Sequence, residues 1–509
     1  MFKILSKEEA AQLVQPGACL GLNCFMTMGH ADVMYQAIRD RFAKQGKQAD
    51  LTLFCASGFG NWNESDYAEC LAAAGMVKRV IASHFASMPL TQRLIGENRI
   101  EGYALPLGAL THWLRAYAAG FRGVLSKVGL GIYADPRQEG LGMNDISQEK
   151  FVFLTELDGE EYLYYTLPPL DVALIKGTAA DPNGNITFED ECVSVDAFAM
   201  AQAVRRNKGQ VIVQVDRVTH SFSRPRNVVV PGALVDAVVV EERESLSPFR
   251  RTLSGDFHVP PSHMNYWAKR FSLPGAGKDD GADQIIGCRA ARELTKGDIV
   301  NIGIGIPTAV CRAATESNLL RDVHLTVESG GLGGLPAAGR DFGASIGPDM
   351  ITDMASQFDF YDGGGLDICF MGALEVDRWG NVNVHKRGNT FVGIGGFGNI
   401  TASTQKVVFC LTFTTKGLRV AEQEGRVAIQ QEGSIPKFCQ QIASYSFSAQ
   451  RALKNRQQVL YVTERCVFTL TQQGLALIEV YPGIDRQRDI LDKLDFAPAL
   501  SLQAEAAEN

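Results

Sequence analysis

Short apolar runs alternate with polar, helix-periodic segments from the start of the chain. Ser6 and Glu9 have the spacing of a capping box, in which two side chains satisfy backbone N–H groups at a helix start. Ala18-Cys19-Leu20-Gly21-Leu22 reads as a buried strand, 31–44 as a helix, and 50–55 and 80–82 as further strands. A helix-like run over 110–119 precedes strands at 151–154, 172–175 and 209–215. Strands alternating with helices predict an α/β fold with mainly parallel sheets covered on both faces. Between Ser221 and Trp267 the rhythm breaks, with five prolines and little helical pattern, and a helix–strand–helix start resumes over 285–316. Two open α/β domains are therefore expected, 1–240 and 285–509, joined by a connector over 241–284. A chain of 509 residues is too long for one core and suits two.

The two halves repeat each other. Asp171-Val-Ala-Leu-Ile is followed at fixed offsets by Asp181, Gly184 and Asn185, and Asp367-Ile-Cys-Phe-Met by Asp377, Gly380 and Asn381. A strand-like run follows each at equal distance, at Val211 and at Val407, and Gly17-Ala-Cys-Leu-Gly-Leu matches Gly297-Asp-Ile-Val-Asn-Ile. Tandem, structurally related domains follow, and a cleft between them is the natural ligand site. Divergence is unequal. Asn301-Ile-Gly303-Ile-Gly305 keeps glycines where Leu22-Asn23-Cys24-Phe25 does not, and the glycine-rich loop beyond Val327 is read as having no counterpart in the first half. Chemistry is accordingly expected in the second half.

That loop opens with Glu328, after the apolar run Leu325-Thr326-Val327, and carries Gly330, Gly331, Gly333 and Gly334. Glycine lets backbone N–H groups approach a ligand, and ligands of open α/β sheets sit beyond the carboxyl ends of strands. On spacing alone, a solvated loop glutamate is the better reading. Gly303-Ile-Gly305 lacks the third glycine of a dinucleotide fingerprint. Asp359 and Asp362 have no histidine at metal-ligand spacing, so turn or helix-cap duty is expected and no metal.

Composition narrows the ligand. A hydrophobic share of 46% with 21% charged residues is ordinary for a soluble protein, and no apolar run is long enough for a membrane span. A net charge of −8 argues against nucleic acid and leaves any polyanionic ligand to local groups. Eleven scattered cysteines, many inside apolar runs, read as reduced buried thiols of a cytoplasmic protein.

VESGGLGG at 327–334, FGAS at 342–345, QFDFYDGGGLDI at 357–368 and GNVNV at 380–384 together resemble the second half of the family I coenzyme A transferases. The similarity is to the single-chain acetate/propionate and acyl-CoA:3-ketoacid types. The resemblance implies that Glu328 is the nucleophile of a ping-pong exchange. An acyl-CoA and a small carboxylic acid would be the partners, and coenzyme A would be substrate and covalent intermediate, with no cofactor bound permanently. It implies oxyanion or CoA contacts at Gly395 and Gly396, a CoA-lining loop at Gly303 and Gly305, and Gln357 and Phe358 packed behind Glu328.

Leu107, in Leu105-Pro106-Leu107-Gly108, stands where the family carries glutamine. Phe25 lies in a degraded glycine motif, Asn23-Cys24-Phe25. Leu107, Gly108 and Phe25 are thus expected to shape a bulkier, more apolar pocket. A homo-oligomer, dimer or tetramer, follows from the same resemblance. A hydrolase-like or narrowed-specificity relative and a non-catalytic CoA-binding protein remain as alternatives, because leucine removes a side-chain donor.

Overall fold

The computed structural model describes residues 2–46, 48–241, 281–317, 319–337, 339–388 and 390–500; most of the expected connector lies outside the described residues. Two ten-stranded sheets organise the chain. The main path of the first runs Lys3–Leu5, Ala237–Val240, Gln210–Val218, Val172–Ala180, Cys19–Leu22, Leu51–Phe54, Val77–Ala82, Glu101–Ala104, and every pairing along it is parallel. The second sheet has a parallel centre, His324–Thr326, Ile299–Ile302, Ile368–Gly372, Lys406–Cys410 and Gln458–Val462. Antiparallel strands extend it on both sides.

The repeat seen in sequence is a repeat of hydrogen bonds. Asp171 accepts the Cys19 N–H at 2.9 Å, and Asp367 accepts the Ile299 N–H at 2.8 Å, locking the same two strand starts together in each half. Asp181 caps its turn by accepting the N–H groups of Asn183 and Asn185 and the Asn185 amide. Asp377 does the same with Trp379 and Asn381. A buried carboxylate satisfied by turn N–H groups fixes the chain's exit from a strand, which explains why these residues recur at fixed offsets.

The capping box forms as expected, with the Glu9 N–H donated to Ser6 Oγ and the Ser6 N–H to Glu9 Oε2. The expected strand at 151–154 exists but does not join the parallel sheet. Val152–Leu157 pairs antiparallel with Glu160–Thr166 in a separate three-stranded sheet. Its exposed positions, Phe153 and Leu154 among them, do not fit a strand buried on both faces.

Bonds between backbone segments join the halves. The Leu107 N–H is donated to Gly395 O, the Phe85 N–H to Val392 O, the Gly395 N–H to Ser83 O, and the Met354 N–H to Val195 O, all at 2.8–3.0 Å. Among the described residues no helix is long and apolar enough to cross a membrane.

Candidate active site

Glu328 lies two residues past the carboxyl end of His324–Thr326, which pairs parallel with Ile299–Ile302 on one side and antiparallel with Gly331–Leu332 on the other. Val327 accepts the Gly330 N–H at 3.0 Å and donates its own N–H to Gly331, so the chain turns sharply with Glu328 at its tip. Gly330 has φ +115, and a Cβ there would collide with the Thr352 carbonyl, so only glycine allows this turn. The Ser329 hydroxyl ties the turn to Gly343 O. Behind it, Tyr361 Oη donates to Thr326 Oγ1 at 2.9 Å and accepts from Asn301 Nδ2 at 3.3 Å, a polar layer that fixes the two strands beneath the loop.

Glu328 opens on a cavity of about 330 Å³ between the halves. The first half contributes Phe25, Met26, Ser57, His84 and Leu107 to its wall. The second contributes Glu328 itself, Gly303, Ile304 and the segment Val392–Phe397 among others. Burial pushes the Glu328 carboxyl up to about 7, and among the described residues no hydrogen bond or neighbouring cation offsets it. A carboxylate in this condition is poorly solvated and therefore a better nucleophile than a surface one.

Gly396 lies directly against it: a Cβ at Gly396 would stand 2.9 Å from Glu328 Oε1 and 3.0 Å from Cδ. Lys437 is the cation of the lining; its Nζ donates to Ala373 O at 3.1 Å, and burial lowers its pKa.

The residues singled out in sequence therefore divide. Glu328, Phe25, Leu107, Gly303, Gly395 and Gly396 share the cavity wall, whereas Gly305, Gly108, Gln357 and Phe358 are not part of it. Gly108 instead donates its N–H to Asn399 Oδ1 at 3.0 Å, and a Cβ there would meet Phe358, so this pair seals the contact between the halves. Gln357 and Phe358 are buried in the helix Met354–Asp362.

The Gly395 N–H is spent on Ser83 O, which leaves the N–H groups of Ile394 and Gly396 as the unbonded donors of that loop among the described residues. The N–H groups of Leu107 and Gly108 are also occupied, so neither replaces the missing side-chain donor at 107.

Asp359 and Asp362 are not turn or cap residues, since Asp353 caps their helix. Asp359 reaches across to the first half, with His112 Nε2 at 3.1 Å and Arg115 at 2.6 Å, and these partners hold its pKa well below the carboxylate range. Asp362 accepts from Asn399 at 2.9 Å. His385 is structural, stacked on Tyr133 and bonded to Ser446 at 2.7 Å and Ser444 at 2.9 Å.

Sequence reading missed His84. It sits just past the carboxyl end of Val77–Ala82, the position that the strand-end rule marks for ligand contact. It also missed that the Glu328 loop has a counterpart. Cys19 and Ile299 are equivalent through their aspartates and pair with Thr52 and His324. Counting on from there aligns Ala56-Ser57-Gly58 with Glu328-Ser329-Gly330.

Comparison with known proteins agrees with this architecture. A family model described as Coenzyme A transferase matches residues 4–241. The acetate CoA-transferase YdiF of Escherichia coli O157:H7 is 38% identical over 507 residues, covering 98% of this chain and 93% of the relative. The caffeate CoA-transferase of Acetobacterium woodii is 39% identical over 507 residues, covering 98% and 95%. A crystal structure of the Escherichia coli O157:H7 YdiF apoenzyme superposes with a TM-score of 0.90 at 36% identity, covering 99% of this chain and 94% of that one. One of YdiF as a thioester complex with CoA superposes with 0.89 at 36% identity, again covering 99% and 94%. With likeness of this extent over both halves, the chain belongs to the coenzyme A transferase family and is a CoA-transferase.

Proposed function

We propose that the chain moves coenzyme A between a short-chain acyl-CoA and a free carboxylate by ping-pong chemistry on Glu328. The observation that carries this reading is the unpaired Glu328 carboxyl, raised to about 7, pressed against Gly396 in the cavity between the halves. The YdiF thioester complex supports it by analogy.

Glu328 as carboxylate attacks the acyl-CoA carbonyl; the C–S bond breaks, giving an acyl-glutamyl anhydride and CoA thiolate. The thiolate attacks the glutamyl carbonyl, expelling the free acid and leaving a glutamyl-CoA thioester. An incoming carboxylate runs the same steps backward. The Gly396 N–H is the backbone donor for the oxyanion of each tetrahedral stage. Apolar walls (Phe25, Leu107, Ile304, Ile394) keep water from the anhydride and thioester.

The same walls favour acids larger than acetate. An acceptor series from acetate through butyrate to aryl-propenoates tests this, with strict acetate preference as the contrary result. The mechanism is tested by intact mass after incubation with acetyl-CoA or butyryl-CoA. An adduct of CoA less water, discharged by added carboxylate, is expected; free CoA released steadily without an adduct would indicate hydrolysis instead.

The domain limits 1–240 and 285–509, a cytoplasmic location and a dimeric or tetrameric assembly belong to the same proposal. Size-exclusion chromatography with light scattering checks the last.

A further inference from the structure

The cavity wall is uneven in its polar groups. The second half supplies Glu328, Lys437 and the unbonded N–H groups of Ile394 and Gly396, while the first supplies two polar side chains to the lining among the described residues, Ser57 and His84. His84 Nε2 is buried and makes no hydrogen bond among the described residues. Buried polar atoms are almost always bonded, so a buried one on a ligand cavity without a partner marks where a ligand atom belongs.

The imidazole is held there from both sides. His84 bridges to Gly393, and its neighbours Ser83 and Phe85 bond to Gly395 and Val392, so it is fixed to the segment that touches Glu328. Opposite, Gly58 leaves room for the ring, since a Cβ there would stand 3.1 Å from His84 Cδ2. Burial lowers the His84 pKa to about 4, so the ring is neutral at working pH and brings one N–H without bringing charge.

Resting on the reading of Glu328 as the site of acyl exchange, we propose that His84 is a further substrate-contacting residue. Its Nε2–H donates to the oxygen of the acyl group or acceptor carboxylate, supplying from the first half the donor that Leu107 lacks. The proton stays on His84 throughout. The carbonyl oxygen of the acyl group is neutral in the thioester and gains charge in the tetrahedral stage, so the bond to it strengthens as attack proceeds.

The test is rapid-quench intact mass on wild type, His84→Phe and His84→Gln, with histidine-selective 15N spectra of the wild type and of His84→Gln during butyrate titration. His84→Phe is expected to slow both formation and carboxylate discharge of the CoA adduct by about 10²-fold. His84→Gln, whose amide keeps a donor, is expected to recover at least ten-fold of this (about 1.4 kcal/mol). The pH midpoint near 7 should stay in place. One imidazole resonance should move with butyrate and be missing from His84→Gln.

Adduct kinetics of His84→Phe equal to wild type would overturn the proposal, as would no histidine resonance responding to butyrate. Absence of any adduct in wild type would instead overturn the reading of Glu328.

Discussion

At the end of Leu51–Phe54 the first half places Ala56-Ser57-Gly58; at the end of His324–Thr326 the second places Glu328-Ser329-Gly330. The difference extends to the element facing the loop. The repeat offset is constant from Asp171 to Val211 and from Asp367 to Val407, so Gly393–Gly396 corresponds to Ala197–Met200. In the first half those residues form the first turn of the helix Ala197–Arg206, with Met200 buried against Gly21. In the second, the helix begins only at Phe397, and the turn before it is unwound into a glycine loop resting on the Glu328 carboxyl. One fold thus carries a packed end and an end that opens on the cavity. A carboxylate replaces alanine, and glycines that cannot fill space replace a methionine that does.

The contrast can be broken at several points. The largest effect is expected from Glu328→Ala, which abolishes the CoA adduct and lowers transfer on the order of 10⁴-fold or more, as loss of a nucleophile does. Adding Ala56→Glu to that variant should not restore it. Ala56 is buried, and no glycine loop faces the matching place. Gly396→Ala comes next. The added methyl displaces the Glu328 carboxyl while keeping the backbone N–H, and a fall in kcat/KM of about 10²-fold is expected from misplacing the reacting atom.

The pH dependence is smaller and specific to the raised carboxyl. In the proposed reaction the deprotonated form attacks, so log kcat/KM for the acyl-CoA should rise with unit slope and level off above about 7. Stability gives the smallest effect. A carboxyl whose pKa is higher folded than unfolded binds its proton more tightly when folded, so stability falls as pH rises from 4.5 to about 7, and the cost is complete above that. Glu328→Gln removes this ionisation. Its melting midpoint should exceed wild type by about a few degrees at pH 8 and match it near pH 4, measured by differential scanning fluorimetry.

Local patterns carried much of this organisation. The Asp171 and Asp367 repeats were visible because a strand start and a capped turn each need an aspartate at a fixed distance, and Ser6 with Glu9 announced a helix for the same reason. Glu328 stood out through the glycines its turn requires. What stayed hidden depends on partners distant in sequence. Asp359 is bound by His112 and Arg115 of the other half, which no spacing reveals. Ala56 is an unremarkable residue until pairing aligns it with Glu328. His84 carries no motif, and its place emerges only when Ser83–Phe85 is seen bonded to Val392–Gly395. The antiparallel sheet at Val152–Leu157 escaped because a short apolar run does not say which sheet it joins.

The account rests on where coenzyme A attaches, so the most direct measurement is peptide mapping of the adduct formed with acyl-CoA. The protein is quenched in acid, digested with trypsin and sequenced by tandem mass spectrometry. The account predicts CoA less water on the peptide Asp322–Arg340, localised to Glu328 and removed when carboxylate is added before quenching. Attachment to any other residue, a cysteine included, or turnover without an adduct on that peptide, would contradict it.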